Sequence, residues 1–317
     1  MELVSLWHDL LWPLLRLLCG LAFGLLLANV LEALRWTDHI AKLARPLAQA
    51  AHLRDVAGAS FTLSFVSASS ANALLGEHFA QGALSRRELL LANLFNSLPA
   101  YLLHTPTIFF LTFPVLGLPA LTYVGLTLFA AALRTLFTLC MARLLLPKPA
   151  ASAKAAPAPA PTRRWRAALE KALSRFRRRL PKLLYFTVPM YILMLALHKL
   201  GFFELAQAWL GRHASWLAFI QPEAMGIIVL HLAAELGAAL GAAGAIMVSG
   251  SMQAPDVVLA LLVGNILSTP MRALRHQLPS YAAFYAPQTA LLLIVANQGL
   301  RALSLLLVSY GYYLFSQ

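Results

Sequence analysis

The 317-residue chain is 60% hydrophobic and only 12% charged, and its mean hydropathy is +0.71. Soluble domains are roughly half apolar and a quarter charged, so this composition excludes an ordinary soluble domain and predicts a polytopic membrane protein. The net charge of +13 is concentrated, since ten of the 25 Lys and Arg residues lie in 154–182, where Glu170 is the only acid. Basic residues confined to one loop are typical of the positive-inside bias, and they argue against binding to nucleic acid.

The chain contains ten apolar segments, five before the basic segment and five after it. We predict that they are helices, because backbone groups in lipid must find hydrogen-bond partners within the chain. Some could re-enter the membrane as broken helices instead of crossing it. The resulting domains are a first membrane repeat (1–146), a cytoplasmic linker with a basic helix (147–182) and a second membrane repeat (183–317). The approximate spans are 10–34, 56–79, 86–103, 106–121 and 122–145, then 183–200, 224–249, 256–272, 278–293 and 295–316.

The second predicted span carries an unusual density of polar side chains. Such groups could serve helix packing, or they could contact a solute where a helix is broken. The matching second-half stretch, 235–244, has Gly and Ala in place of hydroxyls, and there tight helix packing is the favoured interpretation. The polar residues of the first half are Ser64, Ser67, Ser69, Ser70 and Asn72.

The third span is predicted to begin at a capping box formed by Ser85 and Glu88. A second polar cluster occupies the second half of this span and includes a proline. Proline leaves a carbonyl group one turn back without its donor, and a neighbouring Ser, Thr or Asn can satisfy it. That contact is the structural alternative to a site role for Ser97 and, in the second half, for Thr269. Asn93 is a candidate for an interhelical hydrogen bond or for a solute contact. The cluster consists of Asn93, Asn96, Ser97, Pro99 and His104.

Residues 147–162 are rich in Ala and Pro, which predicts an extended linker. Apolar residues then recur every three or four positions from Trp165 to Leu180, with basic residues between them. This pattern predicts an amphipathic helix, and we expect residues 163–182 to bind the anionic lipid headgroups of the cytoplasmic leaflet. A partner-binding helix is the alternative.

The second half carries ionisable residues inside predicted spans. His231 and Glu235 are spaced i, i+4 on one helical face, and ionisable groups at such depth usually face the bundle interior. They could be a proton-coupling pair or a buried structural pair. A metal site is disfavoured, because no further ligands occur at helical spacing. A later cluster, which could hold an anion or snorkel to lipid headgroups, contains Asn265, Thr269, Arg272, Arg275 and His276.

The two halves of the chain also resemble each other in sequence. Each half makes an odd number of predicted crossings, and the segment between them is cytoplasmic, so we predict two repeats of inverted topology. Arg134 and Arg301 are equivalent in these repeats, and we expect both to face inward and pair with carbonyls or acids. The matched positions are Gln81 with Gln253, Asn93 with Asn265, Pro99 with Pro270 (one residue out of register) and 133–136 with 300–303.

The run SFVSASSANALLGEHFAQGALSRRELLLANLFNSLPAYLLH, followed by PVLGLPALTYVGLTLFAAALRTL, resembles the nucleoside recognition, or Gate-domain, membrane proteins. The likeness is to stand-alone uncharacterised members, and more distantly to concentrative nucleoside transporters and to the membrane region of ferrous iron transporter B. It covers roughly 56–146 and 225–315. It implies a transporter-like core of about ten helices with paired gates near 67–72 and 237–244, and it carries over no substrate. The sequence departs from iron transporter B because it has no GTPase domain and no cysteine in the gate region.

The leading functional hypothesis is therefore a secondary transporter or permease for a small solute, whether nucleoside-like, metal or other. The alternatives are a flippase for a lipid or lipid-linked substrate and a non-transporting membrane scaffold subunit. We expect no enzyme activity, cofactor or resident metal, because no hydrolase or nucleotide-binding motif occurs. The expected location is the inner (cytoplasmic) membrane, with several passes, and a homodimer is one option. The predicted substrate-binding residues are Ser67, Ser69, Ser70, Asn72, Asn93, Asn96, His104, His231, Glu235, Asn265, Thr269, Arg272 and Arg275.

Overall fold

The computed structural model of the protein describes residues 7, 11–33, 44–147, 165–201, 205 and 221–316. Within these ranges every regular element is a helix, which confirms the all-α fold class for the described residues. In chain order the elements are α1 (Trp12–Ala33), α2 (Ala44–Ala50), α3 (Asp55–Ser64), α4 (Ala68–Ala80), α5 (Arg86–Phe95), α6 (Ser97–Leu116), α7 (Pro119–Leu145), α8 (Trp165–Lys199), α9 (Pro222–Ser249), α10 (Ala254–Leu267), α11 (Thr269–Arg272), a π-helical turn (Ala273–Gln277), α12 (Leu278–Ala282) and α13 (Pro287–Ser316).

Three helical stretches are long and apolar enough to cross a membrane, by length and composition: Arg86–Leu116, Pro119–Leu145 and Pro287–Ser316. Large apolar side chains on the outer faces of α7 and α13, such as Leu144 and Phe315, are exposed. Soluble monomers rarely expose broad apolar surfaces, whereas a lipid bilayer would cover them. These features are those of a helical membrane protein.

The structure divides the third and fourth predicted spans differently from the sequence. The predicted boundary near 103–106 lies inside α6, and the chain instead bends at Asn96, between α5 and α6. Pro99 favours a bend here, because it has no N–H to donate to the carbonyl of Phe95, the last residue of α5. Helices α5 and α6 together form the single apolar stretch Arg86–Leu116.

Two further boundaries differ in the second half. Helix α8 is continuous from Trp165 to Lys199, so the predicted basic helix and the span after it form one element. The predicted boundary at 293–295 lies inside α13, which begins at Pro287 after the short helix α12. The predicted Ala- and Pro-rich linker falls largely on residues 148–164, which lie outside the described residues.

Side chains cap the helices that frame the polar segments. The predicted capping box is confirmed: the Ser85 hydroxyl accepts from the Glu88 N–H (3.3 Å), and the Glu88 carboxylate accepts from the Ser85 N–H (2.8 Å). The second predicted span, 56–79, is broken between α3 and α4. There Ser67 is extended, and its hydroxyl accepts a hydrogen bond from the Ser70 N–H at 3.2 Å.

The core consists of two apolar clusters. The first joins α1, α6, α9 and α10, with Leu21 and Leu240 among its fully buried members. The second joins α3 to α5 with the start of α13, with Phe61 and Leu293 at its centre. The small residues of α9 pack tightly, as predicted for 235–244, since a Cβ added at Gly244 would lie 3.1 Å from the Leu17 side chain.

Candidate functional site

A cavity of about 740 Å³ lies between the two apolar clusters. Leu25, Leu111 and Tyr123 of the first cluster line it, and so does Tyr281 of the second. Its walls come from both halves of the chain, and the bends at Asn96 and Ser268 both face into it. Its size is that of pockets that enclose small organic ligands.

Asn93, on α5, is the hub of a hydrogen-bond network at the cavity wall. Its side-chain amide donates to the Asn72 carbonyl oxygen of α4 at 2.8 Å. Its own carbonyl oxygen accepts from the Tyr281 hydroxyl and from the Asn297 amide, both at 3.2 Å. The Tyr285 hydroxyl donates in turn to the Asn72 backbone carbonyl at 3.1 Å. The network therefore ties helices of the first half to helices of the second.

Asn265, on α10, is the centre of a second network. Its amide donates to the Tyr123 hydroxyl of α7 at 3.2 Å, and its carbonyl oxygen accepts from the Arg301 guanidinium at 2.6 Å. Arg134 makes a comparable contact in the first half, where its Nε donates to the Ser97 hydroxyl at 3.0 Å. Both arginines line the cavity, as their predicted inward orientation requires. The described partner of Arg301 is therefore a side-chain carbonyl oxygen, one of the predicted partner types, whereas the described partner of Arg134 is a hydroxyl.

Five buried polar atoms on cavity-lining residues have no hydrogen-bond partner in the part of the chain that the structure describes. Buried polar groups in proteins are nearly always hydrogen-bonded, and an unpaired one costs about 1–3 kcal/mol. The five atoms have almost no accessible surface themselves, so water or a solute in the cavity would reach them after rotation of their side chains. The five are Asn96 Oδ1, His231 Nδ1, Gln277 Oε1, Gln298 Oε1 and Arg301 Nη1.

The charged residues that line the cavity are basic. Arg134, Arg272 and Arg301 contribute to its walls, and none of the described lining residues is Asp or Glu. Arg134 is only 6% exposed. Across the described ranges, no group of three or more His, Cys, Asp or Glu side chains is close enough to hold a metal ion.

Seven of the thirteen predicted substrate-binding residues line this cavity. They are Asn72, Asn93, Asn96, His104, His231, Asn265 and Arg272. These residues are far apart in sequence, and the packing of α4, α5, α6, α9, α10 and α11 around one space brings them together.

The other predicted site residues are placed elsewhere. Ser67 caps α4, while Ser69 and Ser70 are exposed, so these three serines lie at the end of a helix and do not line the cavity, whereas Ser64 does. Thr269 is buried, and its hydroxyl donates to the Asn265 backbone carbonyl at 3.4 Å. The side chains of Glu235, Arg275 and His276 lie outside the described part of the structure.

The Ser97 hydroxyl accepts from Arg134, and no hydrogen bond among the described residues joins it to the carbonyl freed by Pro99. The predicted site residues did not include Arg134, Arg301 and several neutral residues that line the cavity. The predicted repeat matched Arg134 with Arg301 and led to the expectation that both face inward, which was the available signal for them. Nothing in the local sequence distinguishes the other residues, because their role depends on long-range packing. The missed lining residues include Tyr101, Tyr123, Tyr281, Asn297 and Gln298.

Comparison with known proteins gives one relative of unstated activity. Uncharacterized protein MJ0871 of Methanocaldococcus jannaschii is 25% identical over 240 residues, which cover 75% of this chain and 74% of that protein. An alignment of that length extends into both halves of the chain. No family model matches the sequence. No solved structure matches it either.

Proposed function

We propose that the protein is a transmembrane transporter or permease for a small solute, and that the cavity is its substrate site. The observation that carries the proposal is the cluster of five unpaired buried polar atoms around a space of about 740 Å³. A scaffold subunit has no need of such groups, because a dry apolar interior is more stable than one with unsatisfied polar atoms. A solute that binds and leaves would satisfy them in turn.

We also propose that the chain consists of two membrane repeats of inverted topology. The bends at Asn96 and Ser268 occur at equivalent positions of the sequence repeat, and so do the network centres Asn93 and Asn265. Each of these asparagines contacts a tyrosine of the opposite half, Tyr281 or Tyr123. Secondary transporters built from inverted repeats place their substrate between the repeats near helix breaks, which is the arrangement expected here.

The hydrogen bonds between the halves suggest how the site would open. Four described hydrogen bonds cross between the halves: Tyr285 to Asn72, Tyr281 to Asn93, Asn297 to Asn93 and Asn265 to Tyr123. Such bonds in membrane proteins contribute on average about 0.6 kcal/mol each, so a few of them can be exchanged for bonds to a solute or to water. We propose that one half rocks against the other as these bonds exchange, so that the cavity faces each side of the membrane in turn.

Uptake into proteoliposomes tests the transport proposal. Nucleosides, divalent metal ions, small organic anions and labelled phospholipid headgroups would be screened with the full-length protein and with protein-free vesicles. We expect saturable uptake of one class of water-soluble solute. The uptake should fall at least tenfold in Gln298→Leu, because the Gln298 side chain lines the cavity and its amide oxygen is unpaired. It should persist in Thr138→Val. Thr138 is a matched control because its hydroxyl bonds within its own helix, to the Arg134 carbonyl.

The outcomes separate the three functional classes. Redistribution of labelled phospholipid between leaflets, without uptake of any soluble solute, would replace the transporter by a flippase. A complete lack of movement, in vesicles that retain folded protein, would favour a scaffold subunit.

The inverted topology is tested by a pair of equivalent positions. Gln81 and Gln253 are matched in the repeat, and both are exposed at the turns that precede α5 and α10. Single cysteines at these two positions, in a chain without Cys19 and Cys140, would be labelled with a membrane-impermeant maleimide. We expect labelling of Gln81→Cys from outside and of Gln253→Cys from the cytoplasmic side. Labelling of both from one side would contradict the inversion.

A further inference from the structure

We infer that the solute held in the cavity is an organic anion, and that Arg134 and Arg301 bind its phosphate or carboxylate group. This inference rests on the proposed function, since it names the class of solute that the same site would carry. It follows from the charge of the cavity, from the geometry of the two guanidinium groups and from the neutral groups around them.

Two arginines of the cavity wall have no described partner of opposite charge. Arg134 comes from α7 and Arg301 from α13, and none of the described lining residues is acidic. Cations inside a membrane protein are costly and persist where they face a functional cavity or a partner of opposite charge. An anionic solute would supply that partner.

The hydrogen bonds of the two arginines leave most of their donors available. A guanidinium has five N–H donors, and among described atoms Arg301 uses Nη2 for Asn265 while its buried Nη1 has no partner. Arg134 donates from Nε to Ser97. The contacts to Ser97 and Asn265 hold the two side chains in place at the cavity wall. The remaining N–H groups form the planar fork that matches the oxygens of a carboxylate or phosphate.

Neutral polar groups in the same cavity indicate that the anion has an organic body. The side chains of Asn96, Gln277 and Gln298 line the cavity, and their oxygens are buried and unpaired, so a rotation of each amide would let it accept a hydrogen bond from a hydroxyl or amine group. The hydroxyls of Tyr101 and Tyr123 also lie at the wall. A volume of about 740 Å³ exceeds what an inorganic ion needs. We therefore expect a hydroxylated phosphate or carboxylate.

Paired probes that differ in charge test this inference on the full-length protein in detergent. Ribose 5-phosphate would be compared with ribose, and succinate with succinamide, at constant ionic strength. The measurement is the thermal unfolding midpoint, which rises when a ligand binds the folded state. We expect a saturable rise of several degrees with at least one anion and none with its neutral partner at the same concentration. Equal shifts for charged and neutral partners, or no shift with any anion, would overturn the inference.

Substitutions locate the binding to the two arginines. In Arg134→Gln and in Arg301→Gln, the anion concentration that gives half of the maximal midpoint shift is expected to rise at least tenfold. Arg301→Lys should retain part of the anion binding. Arg54→Gln is the matched control, because Arg54 pairs with Glu88 away from the cavity. Retention of the full shift in both cavity variants would contradict the assignment. If either variant fails to fold, the comparison of charged and neutral probes on the unmodified chain decides alone.

Glu235 supplies a further test, because it precedes the cavity-lining residues Leu236 and Gly237. The anion-dependent shift is expected in Glu235→Gln as well as in the unmodified chain. A shift that appears only in Glu235→Gln would overturn the inference, since it would make Glu235 the counter-ion of the arginines.

Vesicle uptake separates the inference from the proposed function. Anion binding without uptake would remove the transporter and keep the anion site. Uptake of a neutral or cationic solute by a protein that binds no anion would keep the transporter and remove the anion site.

Discussion

The substitution Asn93→Leu removes the hub of the network between the halves. Asn93 makes three side-chain hydrogen bonds, to Asn72 at 2.8 Å and to Tyr281 and Asn297 at 3.2 Å each. Side-chain hydrogen bonds inside membrane proteins contribute about 0.6 kcal/mol on average and up to about 1.7 kcal/mol. Loss of three such bonds should therefore lower the free energy of unfolding by about 2 kcal/mol, with an upper bound of about 5 kcal/mol.

The thermal unfolding midpoint in detergent measures this effect. At about 1.5 °C per kcal/mol for a chain of this size, the midpoint of Asn93→Leu should fall by about 3 °C. Thr135→Val is the control, because Thr135 is also buried but its hydroxyl bonds only the Ala131 carbonyl of its own helix. That control should change the midpoint by less than half as much. An Asn93→Leu midpoint equal to that of Thr135→Val would refute the reasoning that the network joins the two halves.

Three further predictions concern packing and capping, and all are checked by the same thermal midpoint. Gly264→Ala should destabilise by about 1–3 kcal/mol, because its Cβ would lie 2.8 Å from the His231 Cβ on the facing helix. Gly125→Ala is the control, because a Cβ there meets nothing within 4 Å, and it should be neutral or stabilise by about 0.5–1 kcal/mol. An equal loss of stability in Gly264→Ala and Gly125→Ala would contradict the close approach of α9 and α10. Ser85→Ala should cost about 1 kcal/mol through loss of the α5 cap, whereas Ser70→Ala, whose hydroxyl is exposed, should cost less than half of that.

The sequence alone predicted much of the helical content and several of the site residues. Long apolar stretches require helices because unpaired backbone groups are costly in lipid, so α1, α7, α9 and α13 could be expected from composition and length. Ser85 and Glu88 interact over three residues, and the resulting cap was predictable because the interaction is local. The predicted repeat was a further signal, because it matched Asn93 with Asn265, and each is the centre of a hydrogen-bond network at the cavity.

Only the tertiary structure decided which polar groups share the cavity. Ser67, Ser69 and Ser70 resemble Asn72 in local sequence, yet Ser67 caps α4 and the other two are exposed, because the break between α3 and α4 directs one face of α4 away from the cavity. Tyr281 reaches Asn93 across 188 positions of sequence, and no local pattern encodes such a contact.

The positions of the helix bends were also decided by tertiary packing. Proline shows that a helix can be interrupted, but packing decides where: the chain bends at Asn96, while Pro106 lies inside the continuous helix α6. The sequence thus determined which segments avoid water, since that depends on composition. The arrangement of polar groups around one charged cavity depends on how distant helices pack, and the fold alone determined it.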